Sequence, residues 1–257
     1  TNDDGIHSPG LWAAAEALRD SGEVTVVAPD RERSGVGAAM TLHIPIRAHG
    51  VLPLVEGIKA YAVEGTPADS CILALENLVG PVDLVVSGIN QGSNLGEDIM
   101  VSGTVGAALQ GYMRGYNSVA ISIAAIKDIH YEVAKLLLSL MARQLGENSL
   151  PKPLLLNVNL PNVPLDKIAG VLITRVGRRS FTEVVKEGED GRRKYFWITR
   201  SKPVHRDEDV EGTDHWALRQ GYISITPLHT QLTAAEQLPQ LEGLGEELLR
   251  GIKAQGS

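Results

Sequence analysis

The sequence has little cysteine and no long apolar run. Cys71 is the single cysteine among 257 residues, which excludes an internal disulfide and predicts a reducing, cytoplasmic location. The longest apolar stretches, near 119–126 and 154–160, fall well short of the ~20 residues that a membrane-spanning helix requires. The first residues have neither a basic flank nor an apolar run, so we expect no secretory signal.

An excess of positive charge is also absent. The formal net charge is −7 at pH 7, which disfavours nucleic-acid polymers because their binding depends on neutralising phosphates. A small anion is compatible with this charge, since a local cation and backbone amides outweigh net charge at one site. We therefore expect a small-molecule substrate and neither nucleic acid nor a membrane as a partner.

Two common nucleotide-binding motifs are missing from the sequence. It contains neither the glycine fingerprint of dinucleotide-binding domains nor a phosphate-binding loop followed by Lys-Ser or Lys-Thr. This disfavours cofactor-dependent oxidoreductases and P-loop enzymes. An oxidoreductase with the same type of sheet is an alternative function, and a test of nicotinamide-cofactor binding would decide it.

Strand and helix patterns alternate along the first 160 residues. Val-rich and continuous apolar stretches predict strands, and amphipathic stretches between them predict helices. The predicted strands are 23–28, 61–64, 82–87, 119–123 and 154–159, and the predicted helices are 9–22, 65–78, 102–116 and 131–145. This rhythm predicts a single α/β domain over 1–257, with a Rossmann-like, mostly parallel sheet and helices on both faces.

The pattern changes after about residue 171. Two β-like stretches within 175–200 flank a charged turn, which predicts a protruding β-hairpin arm. A further strand is predicted at 222–226, and apolar residues at helical spacing predict a helical tail at 233–253. Both arm and tail have too much apolar surface to stand alone in water, so we expect a homo-oligomer that buries them. Folding back on the same subunit is the alternative. The arm's apolar residues are Phe181, Val184, Val185, Tyr195, Phe196 and Trp197.

Polar side chains follow two of the predicted strands and the place where a further strand should have ended. Asp3 and Asp4 lie where a first strand should end. Ser34 follows the predicted strand 23–28, and Asn90 follows the predicted strand 82–87. Ends of parallel strands meet at one edge of the sheet, where open α/β sheets bind ligands. Carboxylate, hydroxyl and carboxamide oxygens without cysteine or clustered histidine suit Mg²⁺, Mn²⁺ or Ca²⁺. A solvated turn is the alternative for the acidic pair alone.

A glycine-rich loop leads from Asn90 to the start of the next predicted helix. It contains Asn94 and runs into Ser102, Gly103 and Thr104. Amides and hydroxyls at a helix N-terminus form an anion site, whereas helix capping alone is the simpler role for a serine or threonine there. Because the same loop supplies Asn90, we favour a phosphate site.

Several of these motifs occur together in one known family. They are Thr1-Asn2-Asp3-Asp4-Gly5, Ala28 to Gly35, Gly65-Thr66-Pro67-Ala68-Asp69, Ser87 to Gly96, Ser102-Gly103-Thr104, Gly212-Thr213-Asp214 and Gly221 to Leu228. In order and spacing the chain closely resembles the SurE family of stationary-phase survival proteins, which are divalent-metal-dependent 5′/3′-nucleotidases. The resemblance spans nearly the whole chain.

The resemblance implies roles for individual residues. It makes Asp3, Asp4, Ser34 and Asn90 the ligands of one divalent cation, Mg²⁺ or Mn²⁺, and places Asn94, Ser102, Gly103 and Thr104 around the phosphate. It implies hydrolysis of nucleoside monophosphates by a homodimer or homotetramer. One of the catalytic pair Asp3 and Asp4 would act as a ligand only, and the other would accept a proton.

The sequence departs from the family at its start. Family chains begin with a short apolar strand that leads into the acidic loop, whereas this sequence begins at Thr1. We therefore expect either a fragment or a missing central strand, with Asp3 and Asp4 on a frayed terminus.

The remaining alternatives for the function are a metal-dependent nucleotide sensor without turnover, a short-chain polyphosphatase and a structural role through the arm.

Overall fold

The computed structural model describes residues 1–146, 150, 152–178, 183–200 and 210–255. Of the predicted arm residues, Phe181 lies outside these ranges. The helices are α1 (Pro9–Leu18), α2 (Pro67–Leu73), α3 (Gly103–Met113), α4 (Glu132–Gly146), α5 (Asp214–Arg219) and α6 (Leu244–Gln255). A π-helical turn, Ala74–Leu78, extends α2, and 3₁₀ segments occupy Gly96–Val101, Leu165–Lys167 and Ala235–Leu241.

Within the ranges that the structure describes, the strands form two larger sheets and one hairpin. They are β1 (Thr25–Pro29), β2 (Ala48–Gly50), β3 (Lys59–Val63), β4 (Leu84–Gln91), β5 (Asn117–Ile123), β6 (Leu155–Leu160), β7 (Gly170–Ile173), β8 (Glu183–Glu189), β9 (Lys194–Arg200) and β10 (Tyr222–Leu228). One sheet has the order β1-β3-β2, the second has the order β4-β5-β6-β10-β7, and β8 pairs with β9. In the first two sheets β2–β3 and β6–β10 are antiparallel and the other neighbours are parallel, so the predicted mostly parallel arrangement is confirmed.

Helices cover both faces of the five-stranded sheet, as predicted. Successive side chains of a strand point to opposite faces, and β5 shows this directly. Ile121 packs in one buried cluster with Ala14 of α1 and Leu138 of α4. Ala120 packs in another with Val105 of α3. Both faces of β5 are therefore buried, which explains why its sequence reads as a continuous apolar run.

A cleft separates the two sheets between β1 and β4. Its volume is about 780 Å³, and residues of both strands, of α1 and of the end of α2 line it. At one end of the cleft the Thr1 amino nitrogen donates to Val86 O at 3.0 Å, and Gly88 N donates to Thr1 O at 2.9 Å. Asn2 is 0% exposed. The predicted frayed terminus is therefore wrong for the acidic loop, which is packed from its first residue.

The arm and tail have the predicted secondary structure. The hairpin β8–β9 turns through residues 190–193, and its apolar side chains are largely solvent-exposed, with Trp197 at 64% and Ile198 at 75%. The tail consists of a 3₁₀ segment and α6, and Leu248 is 56% exposed. No helix within the described ranges is long and apolar enough to cross a membrane.

The backbone of helix α1 at Gly10 packs directly against the backbone of β4. A Cβ atom added to Gly10 would lie 2.0 Å from Ile89 O, whereas one added to Gly22 would meet nothing within 4 Å. We expect Gly10→Ala to lower the free energy of unfolding by about 1–3 kcal/mol through overpacking, despite the better helix propensity of alanine. Urea unfolding measures this. Gly22→Ala is the matched control, and equal midpoints for both variants would contradict the contact.

Candidate active site

The acidic loop and the Ser34 loop are tied together through their backbones. Arg33 N donates to Asp3 O at 2.7 Å, and Ile6 N donates to Pro29 O at 2.8 Å. Within the acidic loop, Asn2 and Gly5 exchange two hydrogen bonds of 3.2 Å. The acidic loop at the start of the chain and the loop after β1 are thus brought to one place.

Asp3 is fixed against the N-terminus of α3. Thr104 Oγ1 donates to Asp3 Oδ1 at 2.5 Å, and a Cβ atom added to Gly103 would lie 2.8 Å from the Asp3 Cβ. Only glycine at position 103 permits this approach. Burial raises the pKa of Asp3 above its ordinary value, and the hydrogen bond from Thr104 offsets part of that rise.

Asp4 lies beside Asp3 and is partly exposed. Its Oδ2 accepts a long hydrogen bond of 3.4 Å from Gln91 N. Burial, and next the charge of Asp3, raise the pKa of Asp4 to about 7. Two carboxylates in one partly desolvated place repel each other when ionised, which is the electrostatic situation that a bound cation relieves.

Asn90 and Ser34, the other two predicted ligands, lie on the end of β4 and on the loop after β1. Asn90 is 9% exposed and its Nδ2 donates to Gly92 O at 2.7 Å. Ser34 is exposed and its hydroxyl donates to Glu32 Oε1 at 3.0 Å. Among the described residues no three acidic, histidine or cysteine side chains converge on one point. A cation here would therefore depend on neutral oxygens as well as on Asp3 and Asp4.

The residues predicted to bind phosphate divide into two groups. Ser102 accepts from Val105 N at 3.2 Å and so caps α3, while Gly103 and Thr104 contact Asp3. These three lie beside the acidic pair at the positive end of a helix, where anions are favoured. The Asn94 side chain instead donates to Ser122 Oγ at 2.9 Å and is 8% exposed.

Known proteins resemble this chain in sequence and in structure. The family model of the survival protein SurE matches residues 1–183. The chain belongs to the SurE family. The matched segment contains every predicted site residue. The 5′-nucleotidase SurE of Dehalococcoides mccartyi strain CBDB1 is 47% identical over 235 residues, which covers 90% of this chain and 88% of that relative.

Other members of the family cover a similar share of the chain. The 5′-nucleotidase SurE of Geobacter metallireducens is 44% identical over 245 residues, which are 94% of each chain. The crystal structure of the SurE protein from Aquifex aeolicus superposes with a TM-score of 0.79 at 38% identity, covering 95% of this chain and 97% of that one. The chain therefore shares the SurE fold over almost its whole length.

Sequence reasoning missed several residues that hold the site loops. Asp69 accepts from Thr41 N at 2.9 Å, from Thr41 Oγ1 at 2.7 Å and from Thr66 N at 2.8 Å. It thereby joins α2 to the segment that follows the Ser34 loop. Glu32 was also missed, although its position two residues before Ser34 in an oxygen-rich loop could have indicated it.

Asp214, of the motif Gly212-Thr213-Asp214, has a structural role. It is fully buried, its Oδ2 accepts from Gly96 N at 2.8 Å and its Oδ1 accepts from Gly177 N at 2.9 Å. The side chain of Thr213 caps α5 by accepting from Trp216 N. This carboxylate therefore fixes the end of the glycine-rich loop and the chain that leads towards the arm.

The raised pKa of Asp4 predicts a pH dependence of stability in the metal-free protein. Its pKa rises from 3.8 to about 7 on folding, so the folded state holds this proton more tightly than the unfolded state. The resulting stabilisation is present below about pH 4 and is lost as the pH rises through about 7. Unfolding in urea with chelator at pH 5 and pH 7.5 should show a smaller loss of stability in Asp4→Asn than in the unsubstituted chain. Asp20→Asn, at a carboxylate 87% exposed, is the control, and identical losses in all three proteins would contradict the assignment.

Proposed function

We propose that this SurE-family chain is a divalent-metal-dependent 5′-nucleotidase that hydrolyses nucleoside monophosphates to nucleoside and phosphate. The observation that carries the proposal is the pair of a buried Asp3, held at the N-terminus of α3, and a partly exposed Asp4 beside it. The naming of related chains as 5′-nucleotidases supports the activity. Nucleoside 3′-monophosphates are a second substrate class under the same proposal.

The donor set fits a hard cation. Asp3, Asp4, Asn90 and Ser34 supply carboxylate, carboxamide and hydroxyl oxygens, which Mg²⁺ and Mn²⁺ prefer. These four residues would hold one ion per subunit. When bound, the cation would offset the charge of the phosphate and lower the pKa of an attacking water.

Individual residues of the chain have separate roles in the proposed hydrolysis. Asp3, held by Thr104, is the fixed ligand. Asp4 is partly exposed and makes a long hydrogen bond to Gln91 N, so it is the better acceptor for the proton of the attacking water. The N-terminal turn of α3, with Ser102, Gly103 and Thr104, binds the phosphoryl oxygens as charge redistributes among them.

A phosphate-release screen tests the function. Nucleoside 5′- and 3′-monophosphates are supplied with Mg²⁺, Mn²⁺, Ca²⁺ or excess chelator. Turnover with Mg²⁺ or Mn²⁺ and none with chelator is expected. Binding of a monophosphate without release of phosphate would support the nucleotide-sensor alternative and refute this proposal, and full activity in chelator would refute the metal dependence.

The metal ligands should differ in importance. Asp4→Asn removes charge that attracts the ion, whereas water can replace the neutral oxygen lost in Ser34→Ala. We expect Asp4→Asn to weaken Mn²⁺ binding by roughly tenfold or more and Ser34→Ala to weaken it less. Calorimetric titration of both folded variants measures this. The reverse order would contradict the ligand assignment.

We further propose that the protein is a cytoplasmic homodimer or homotetramer that buries the hairpin arm and the tail. The single thiol, Cys71, is buried and free, which fits a reducing compartment. An isolated two-stranded ribbon with exposed aromatic side chains on β9 is poorly stable in water, and a symmetric partner would cover it.

Light scattering tests the assembly. The unsubstituted chain is expected at a multiple of its 27.5 kDa mass, and Trp197→Glu is expected to lower that mass because it places a charge in the proposed interface. Arg192→Glu, at the exposed hairpin turn, should leave the mass unchanged. A monomer at micromolar concentration would refute the assembly.

A further inference from the structure

A buried polar layer lies under the glycine-rich loop. Asn157 and Asn159 occupy alternate positions of β6, so their side chains share one face of the sheet, and both are 0% exposed. Ser122, opposite Asn159 in the β5–β6 register, is also fully buried. Asn94 of the loop rests on this layer.

The two strand asparagines hold the backbone of Asn94. Asn159 Nδ2 donates to Asn94 O at 3.0 Å, and Asn94 N donates to Asn159 Oδ1 at 2.8 Å. The side chain of Asn159 thus pairs with both backbone groups of Asn94, as a residue of a neighbouring strand would. Asn157 Nδ2 donates to the same carbonyl at 2.8 Å. With the Asn94 side chain bonded to Ser122, both backbone groups and the amide nitrogen of Asn94 are engaged.

This arrangement is costly for the core of a sheet. Asparagine is disfavoured in strands, and burying a carboxamide lowers stability unless all its polar atoms are bonded. Within the described part of the chain, Asn157 Oδ1 has no hydrogen-bond partner although it is buried. Apolar residues at 157 and 159 would serve a core better. Their role is therefore better explained by what they hold than by core stability.

We propose that Asn159 and Asn157 are positioning residues that set the conformation of loop 92–96 for phosphate binding. They act through the backbone of Asn94 and do not touch the substrate. The inference rests on the proposed nucleotidase function: loop 92–96 joins Gln91, whose N–H donates to Asp4, to the 3₁₀ segment that ends at the proposed phosphate ligand Ser102. Asn159 makes two of the three bonds to the Asn94 backbone, so its loss has the larger effect.

Kinetics of Asn159→Ala, Asn157→Ala and the control Thr226→Val test the proposal. Thr226 lies opposite Asn157 on β10 and is 1% exposed, but its hydroxyl bonds to Thr174 Oγ1 at 2.7 Å and not to the loop. With a nucleoside 5′-monophosphate and Mn²⁺, we expect kcat/KM to fall roughly 100-fold in Asn159→Ala. A loss of this size corresponds to a displacement of the loop by about 1 Å from its productive position. The fall in Asn157→Ala should be smaller, and Thr226→Val should change little.

The inhibition constant of inorganic phosphate is the readout that a merely structural role would not move. It should rise in both asparagine variants and stay constant in Thr226→Val, with rates corrected for the folded fraction. Equal losses in all three variants, or unchanged constants in both asparagine variants, would overturn the inference. If Asn159→Ala does not fold, Asn157→Ala carries the same test, since it leaves Asn159 bonded to Asn94.

Amide hydrogen exchange provides a test that does not require turnover. The Asn94 amide loses its acceptor in Asn159→Ala, so exchange in 92–96 should accelerate by about tenfold or more, with β5 unchanged as an internal reference. An unsubstituted chain that releases no phosphate would refute the proposed function alone. Unchanged loop exchange in both asparagine variants would overturn the positioning role alone.

Discussion

The contact between Asp3 and the N-terminus of α3 is the constraint on which the rest of the site depends. Thr104 donates to the Asp3 carboxylate, and the missing side chain at Gly103 lets the helix end approach the acidic loop. The approach places two neighbouring carboxylates in partly desolvated surroundings beside the positive end of a helix. Burial raises the pKa of both acids, and the charge of Asp3 raises the pKa of Asp4 further. A divalent cation bound here would relieve this repulsion, and a helix N-terminus favours anions such as phosphate.

Buried side chains from outside the site keep its loops in place. Asp69 holds the segment after the Ser34 loop, and Asp214 holds the end of the glycine-rich loop at Gly96. Asn159 holds the middle of that same loop at Asn94. Each side chain accepts backbone N–H groups that a loop cannot pair within itself. The loops of the candidate site are thus anchored to regular elements, which is how irregular segments maintain a fixed geometry.

Sequence reasoning predicted the parts that follow from periodicity and from strand ends. Continuous apolar runs identified β4 and β5, because both faces of these strands are buried, and the convergence of the Asp3, Ser34 and Asn90 loops followed from parallel strand order. The three-residue strand β2 and the short helix α5 were missed, since they are too short to show a period. Asn157 and Asn159 were read only as part of an apolar strand, because their role depends on a loop more than 60 positions away in sequence. The resemblance to SurE supplied the roles of residues, which local patterns do not encode.

We propose that Asp3, Asp4, Ser34 and Asn90 hold one divalent cation. The most direct test is the anomalous scattering of Mn²⁺ in crystals of the protein soaked with that ion, compared with crystals soaked in chelator. The account predicts one peak per subunit within about 2.0–2.4 Å of oxygens of Asp3, Asp4 and Asn90, lost in the Asp4→Asn variant. A peak elsewhere, or a peak that persists unchanged in that variant, would contradict it.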